Sequence, residues 1–252
     1  MREEVRRDSL GNDEAPAFYA MRSGGWRDYV TLLHPPYTAW HLSYVALGWA
    51  AAPAAHTDRL VAALIAFLLG VGVGAHALDE LNGRPLRTSI PSGMLVGCAA
   101  VSIGLACAMG VVGAARTSWW LLPFVAFGGF IVCAYNLEWF GGRFHDDFWF
   151  AFAWGAFPAL VASWANAQRF TVEGVLVAAG CFALSAAQRT LSTPVRDLRR
   201  RTRGVDGTIE RHDGTVERLD AAALRSAPES ALRWMSLALP LLAAGAVVAK
   251  LL

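Results

Sequence analysis

The chain is built from long, uninterrupted apolar blocks, and these leave it few ways to fold. Seven stretches stand out, at 37–54, 60–78, 90–112, 119–137, 148–164, 172–187 and 232–252. Each approaches the roughly 20 residues that cross a ~30 Å hydrocarbon core at ~1.5 Å per residue. They are apolar on every face, whereas membrane strands alternate apolar and polar residues. The expected fold class is therefore an all-α integral membrane protein with about seven transmembrane helices. Only 17% of the residues are charged, against roughly 25% in soluble domains, and no nucleic-acid partner is expected.

The polar remainder divides the chain into an N-terminal arm at 1–33, six helices within 34–192, a basic loop at 193–230 and a last helix at 231–252. The arm lacks the apolar core of a signal peptide or anchor, so internal helices must direct insertion. In the basic loop, an Asp-Gly-Thr-(Ile/Val)-Glu-Arg unit recurs from Asp206 and again from Asp213. β-Branched residues flanking a His212-Asp213-Gly214 turn predict a short β-hairpin over 205–219. The four cysteines, Cys98, Cys107, Cys133 and Cys181, lie inside apolar runs without CxxC spacing, which favours packing over metal or disulfide roles.

Orientation follows from the distribution of positive charge. Eighteen of the 22 Lys and Arg residues fall on one side of the alternating spans, and Arg59, Arg116, Arg169 and Lys250 on the other. Positive loops stay inside, so the N-terminus is expected in the cytoplasm and the C-terminus outside, in a plasma (inner) membrane of bacterial type.

Three polar clusters fall at the helix ends of that cytoplasmic side. The second block ends in GVGVGAHALDELNGRPL, where His76, Asp79 and Glu80 stand at i, i+3 and i+4 on one helix face. A His with two carboxylates suits Mg²⁺, or Fe²⁺, Mn²⁺ or Zn²⁺; a solvated helix end with an internal His–carboxylate contact is the competing reading. Between the fourth and fifth blocks lie Tyr135, Asn136, Glu138, Arg143, His145, Asp146 and Asp147. One of the two aspartates can serve as a helix N-cap, and two beside a histidine exceed what capping requires. After the sixth block come Gln188, Arg189, Arg196 and Asp197, followed by the Arg199–Arg203 run. The arginines can grip a phosphate or carboxylate or anchor the chain at anionic headgroups, the second use being favoured for the run. In the first block, His34 is placed at the membrane interface, while His41 lies deeper and is expected to face the bundle. The outer loops carry no comparable density, which implies a cavity open to the cytoplasm.

These clusters resemble the UbiA-type intramembrane prenyltransferase superfamily. GAHALDELNGRPLRTSIPSG has the placement of that family's first acidic motif and retains Arg84-Pro85-Leu86. YNLEWFGGRFHDDFWFAFAWGAFPALVASWA places Tyr135 and Gly155-Ala156-Phe157-Pro158 as the family does. Ala75-His76 stands where the family has an Asn-Asp pair, and Asp197 is the one acid of the second motif. The resemblance implies a UbiA-like bundle whose cavity holds an isoprenoid tail, a divalent-cation-dependent transferase activity and a prenyl diphosphate or other lipid-tailed substrate. Carried onto these positions, Asp79, Glu80 and Arg189 would be catalytic. From the residues themselves rather than the resemblance, His76, Asp79, Glu80, Glu138, His145 and Asp146 are the metal-ligand candidates, Mg²⁺ first. His41, Arg84, Tyr135, Asn136, Arg143, Gln188, Arg196 and Asp197 would bind substrate. Two alternatives stay open: a His/carboxylate metal enzyme acting on a lipid, and a non-catalytic lipid- or partner-binding membrane protein. The oligomeric state is not set by the sequence.

Overall fold

A computed structural model describes residues 15–252; Arg2, Arg6 and Arg7 of the N-terminal arm lie outside the described residues. Helix α1 (Trp26–Leu32) leads into α2 (Pro35–Ala51). Then follow α3 (Thr57–Leu81), α4 (Ser92–Arg116), α5 (Trp119–Asn136), α6 (Asp147–Ala167), α7 (Val172–Arg200) and α8 (Ala221–Leu251). Strands β1 (Gly207–Glu210) and β2 (Val216–Leu219) form an antiparallel hairpin between α7 and α8, with Thr208 opposite Arg218.

Six of these helices, α3 to α8, are long and apolar enough to cross a bilayer among the described residues. That is one fewer than the seven expected, because α2 has 17 residues. The chain is thus a helical membrane protein by construction. Its apolar faces support this: only 11% of the apolar window of α8 is buried inside the protein, and Leu237, Leu241, Leu242 and Val248 are exposed. In water such a surface would be strongly unfavourable, whereas lipid tails solvate it.

The core of the bundle is α2. Trp40, Tyr44, Val45 and Trp49 are fully buried, and the helix packs mainly against α6 and α8. Close approach depends on glycine: a Cβ on Gly48 would lie 2.1 Å from the Ala159 carbonyl oxygen of α6. Gly155 plays the same part between α6 and α7, where a Cβ would meet the Cys181 carbonyl at 2.6 Å. Small residues that let backbones touch are the usual basis of helix association in lipid.

Two helices contain π-helical turns, Leu68–Ala75 in α3 and Ala151–Ala156 in α6. Such turns interrupt the regular backbone ladder and concentrate at functional sites. Here the first leads straight into His76, and the second contains Trp154.

Two boundaries differ from the sequence reading. Helix α7 does not stop near residue 187 but runs to Arg200 through Pro194, and α8 starts at Ala221 rather than near 231. The expected loop at 193–230 therefore contains two helical extensions and the hairpin. The residues from Gln188 to Arg200 sit on a continuous helix.

Candidate functional site

The arginine-rich end of the bundle is roofed by a strap, Ala15–Leu33. Phe18 packs edge-on against Tyr37 and lies under the Arg233 guanidinium, 4.9 Å from its ring centre. The carbonyls of Ala15 and Pro16 accept hydrogen bonds from Arg199 and Arg200. Further along, Asp28 accepts from the Gly24 amide and from the Ser89 amide and hydroxyl, tying the strap to the α3–α4 loop. Burial pushes the Asp28 carboxyl up, and these hydrogen bonds outweigh it, leaving the group below the ordinary carboxylate range.

Under the strap, Arg189, Arg196 and Arg200 lie seven and four residues apart on α7, hence on one face. Arg196 is within electrostatic reach of Arg189, Arg200, Tyr135 and Asp79. Asp79 is half-buried and senses Arg200, Arg196 and His145. Arg189 is tethered from below: its Nε donates to Asp147 at 2.8 Å, and its guanidinium lies 5.3 Å from the Phe150 ring centre. Tyr135 stacks on His145 at 4.4 Å and tilts against Trp154 at 4.5 Å. His145 donates through Nδ1 to the Tyr135 carbonyl, and His41 through Nδ1 to the Trp154 carbonyl.

His34 and His76 are stacked, ring centres 4.0 Å apart and planes 13° off parallel. Nδ1 of His76 donates to the Gly72 carbonyl at 3.1 Å, and Nδ1 of His34 meets the Tyr19 hydroxyl at 2.7 Å. Burial, then His76 and Arg200, hold the His34 imidazole well below its ordinary range, so it is neutral at neutral pH. Burial likewise keeps the Tyr19 phenol protonated.

Among the described residues, four buried side-chain atoms have no hydrogen-bond partner: His34 Nε2, Tyr135 Oη, Gln188 Oε1 and Asn166 Oδ1. Asn166 belongs to the far end of α6; the other three belong to the arginine-rich end. A buried polar atom without a partner costs about 1–3 kcal/mol, so these three atoms are left with hydrogen-bonding capacity that a bound group could take up.

Several expected site residues serve the scaffold instead. Glu80 is fully buried, and its two oxygens accept from the Leu86 amide and from the Thr88 amide and hydroxyl at 2.8–2.9 Å. Arg84, at a left-handed φ of 55°, donates to the Ile90 carbonyl and to Ser92 Oγ. Both lock the loop between α3 and α4. Asn136 turns its amide to the Val132 carbonyl, and its own carbonyl accepts from Asn82. Asp146 caps α6 by accepting from the Trp149 amide. Glu138 and Arg143 are exposed, and Asp197 pairs with Arg201 at 3.5 Å.

Glu80 and Asp146 thus spend their oxygens within the scaffold. Among the described residues, no three His, Cys, Asp or Glu side chains gather closely enough to hold one. Glu80, Asp146 and Glu138 are turned to the loop, the helix cap and solvent.

Next to this polar end lies a cavity of about 180 Å³ between α3, α4, α5 and α6, lined by Phe67, Gly70, Cys107, Gly128, Trp154 and Phe157 among others. Trp154 is shared: one side lines the cavity, and the other packs on Tyr135. Residues that sequence reasoning passed over are Tyr19, which gave no signal, His34, which was read as interfacial, and Arg200, which was read as a lipid anchor. When the chain is compared with known proteins, no family model, curated protein or solved structure matches it.

Proposed function

We propose that this membrane protein binds an anionic, lipid-tailed substrate and acts on it as a prenyltransferase-like enzyme, with the head at Arg189, Arg196 and Arg200 and the tail in the apolar cavity. The observation that carries this reading is the arginine face of α7, set beside unpartnered Tyr135 and Gln188 atoms and separated by Trp154 from an apolar cavity. In an allylic diphosphate, the carbon–oxygen bond breaks, the diphosphate leaves with the electron pair, and the allylic carbon bonds to a nucleophilic atom of the acceptor, whose proton passes to the departing diphosphate. Guanidinium groups aimed at that developing charge lower the barrier. Tyr135 donates to the head, Gln188 accepts from a hydroxyl of the acceptor, and Asp79 lies within electrostatic reach of Arg196 and Arg200. Residues Pro35–Ala51 count as a seventh span in this reading, and the distribution of positive charge puts the strap in the cytoplasm.

The test is release of pyrophosphate from prenyl diphosphates by the purified protein in lipid nanodiscs, with and without Mg²⁺. Release that falls at least tenfold in Arg196→Ala supports the reading. Binding without turnover on any acceptor supports the second one, a non-catalytic carrier of lipid anions, which the scattered carboxylates favour. No binding of any lipid anion eliminates both.

A further inference from the structure

The junction of the strap with α2 brings a further residue to the site. His34 is 9% exposed, yet it occupies a left-handed backbone conformation, φ 45° and ψ 57°. It also precedes Pro35, and a following proline pushes a residue toward extended backbone. A non-glycine residue held in such a conformation is strained and persists only where its surroundings impose it. Here the surroundings do so from three sides. His76 stacks on the ring and fixes its plane, Tyr19 takes Nδ1, and the His34 carbonyl starts α2 by accepting from the Tyr37 and Thr38 amides.

What this effort leaves unused is Nε2. Among the described residues the Tyr19 hydroxyl makes one hydrogen bond, to His34 Nδ1, and burial keeps its proton on, which makes the phenol the donor in this pair. The imidazole then carries its single proton on Nε2. The ring is a neutral N–H donor, buried within electrostatic reach of Arg200 and Arg196. A second cation there would repel them; a neutral donor does not.

We propose that His34 is a further binding residue of the anionic-head site, donating its Nε2–H to a phosphate oxygen, with Tyr19 as the positioning residue that fixes the tautomer. This rests on the lipid-anion reading above and adds to it a wall contributed by the strap. The site then reads a phosphate from two directions, by charge from α7 and by an oriented neutral donor from the start of α2.

The experiment uses the full-length protein in nanodiscs, with farnesyl diphosphate and uncharged farnesol as probes. Nitrogen-15 spectra of labelled histidine should show His34 protonated at Nε2 alone, with that proton moving downfield on adding farnesyl diphosphate. His34→Ala should weaken farnesyl diphosphate about tenfold, the scale of one hydrogen bond to a charged group, and leave farnesol unchanged. His34→Gln, whose amide nitrogen sits near the position of Nε2, should recover binding to within about threefold of wild type. Tyr19→Phe should remove the single-tautomer signature. A wild-type His34 protonated at Nδ1 overturns the proposal. So does wild-type affinity in His34→Ala while Arg196→Ala binds poorly, and then the lipid-anion reading stands without His34. If the Arg196→Ala, Arg200→Ala double variant binds farnesyl diphosphate like wild type, that reading falls as well. Should His34→Ala fail to fold, the wild-type spectrum and His34→Gln decide.

Discussion

Thr88 gives the Glu80 carboxylate two hydrogen bonds, one from its amide and one from its hydroxyl, both at 2.8 Å. With the Leu86 amide on the other oxygen, the loop between α3 and α4 is folded around one buried anion. Stabilisation of this kind is conditional: removing the acceptor leaves three donors unsatisfied, each costing about 1–3 kcal/mol.

Glu80→Ala should accordingly lower the thermal midpoint in detergent sharply, and Glu80→Gln should do so nearly as much, since an amide cannot accept from all three donors. If Glu80 instead served a cation, both variants would keep the midpoint and lose only metal-dependent activity. Thermal scans with and without Mg²⁺ separate the two outcomes.

Asp28 makes a prediction in pH. Its carboxyl titrates below the usual range in the folded protein, so it binds protons less readily folded than unfolded. The stability it contributes is present above about pH 4, its unfolded titration range, and is lost as pH falls through the folded value. The difference in midpoint between wild type and Asp28→Asn should be constant from pH 5 to 7 and shrink below about pH 4. A difference that grows on acidification would contradict the hydrogen-bonded arrangement.

Gly48 tests the central helix crossing. A methyl there would overlap the Ala159 carbonyl oxygen, which is rigid backbone, so α2 and α6 must separate. Gly48→Ala should cost about 1–3 kcal/mol, the range for overpacking a close-fitted core. Gly104→Ala, on a face where a Cβ meets nothing within 4 Å, should be neutral or slightly stabilising. Parallel unfolding of both variants in the same detergent checks the contrast.

Gly70 tests the cavity. A Cβ at this position makes an ordinary 3.6 Å contact with Ala106, so the rest of a leucine must enter the space beside it. Gly70→Leu should weaken a long-tailed diphosphate at least tenfold while short-chain geranyl diphosphate keeps its affinity. Equal losses for both tails would place the tail elsewhere.

How much of this was legible in the chain depended on where the forces act. The apolar blocks at 60–78, 90–112 and 119–137 announced their helices because lipid solvates them along their whole length. The ends of α7 and α8 were missed because an apolar scan stops where charges begin, at Arg189, Arg196, Asp197, Arg199 and Arg200 on α7 and at Arg225, Glu229 and Arg233 on α8. Asp220 was a readable signal for α8: it accepts from the Ala223 amide as an N-cap. Arg189 and Arg196 of α7 were read as site candidates from their position near a helix end, and Arg200 as a lipid anchor. Glu80 was read as a ligand because no sequence pattern shows a loop folding back onto a carboxylate. Tyr19 and His34 were hidden for a related reason. Their pairing depends on the strap crossing the bundle, held by Arg199 and Arg200 from 184 residues further along the chain.

In the lipid-anion reading, the strap also bears on which solvent delivers the ligand. Ala15 and Pro16 are fastened to α7, Phe18 to Arg233 of α8, and Asp28 to the α3–α4 loop, so the strap covers the arginine-rich end, while the apolar cavity lies among helices with exposed apolar outer faces. A ligand arriving through the bilayer is counted by its mole fraction among lipids, not by its molarity in buffer. Diluting the membrane with inert lipid at fixed total ligand should slow occupancy, and adding water should not.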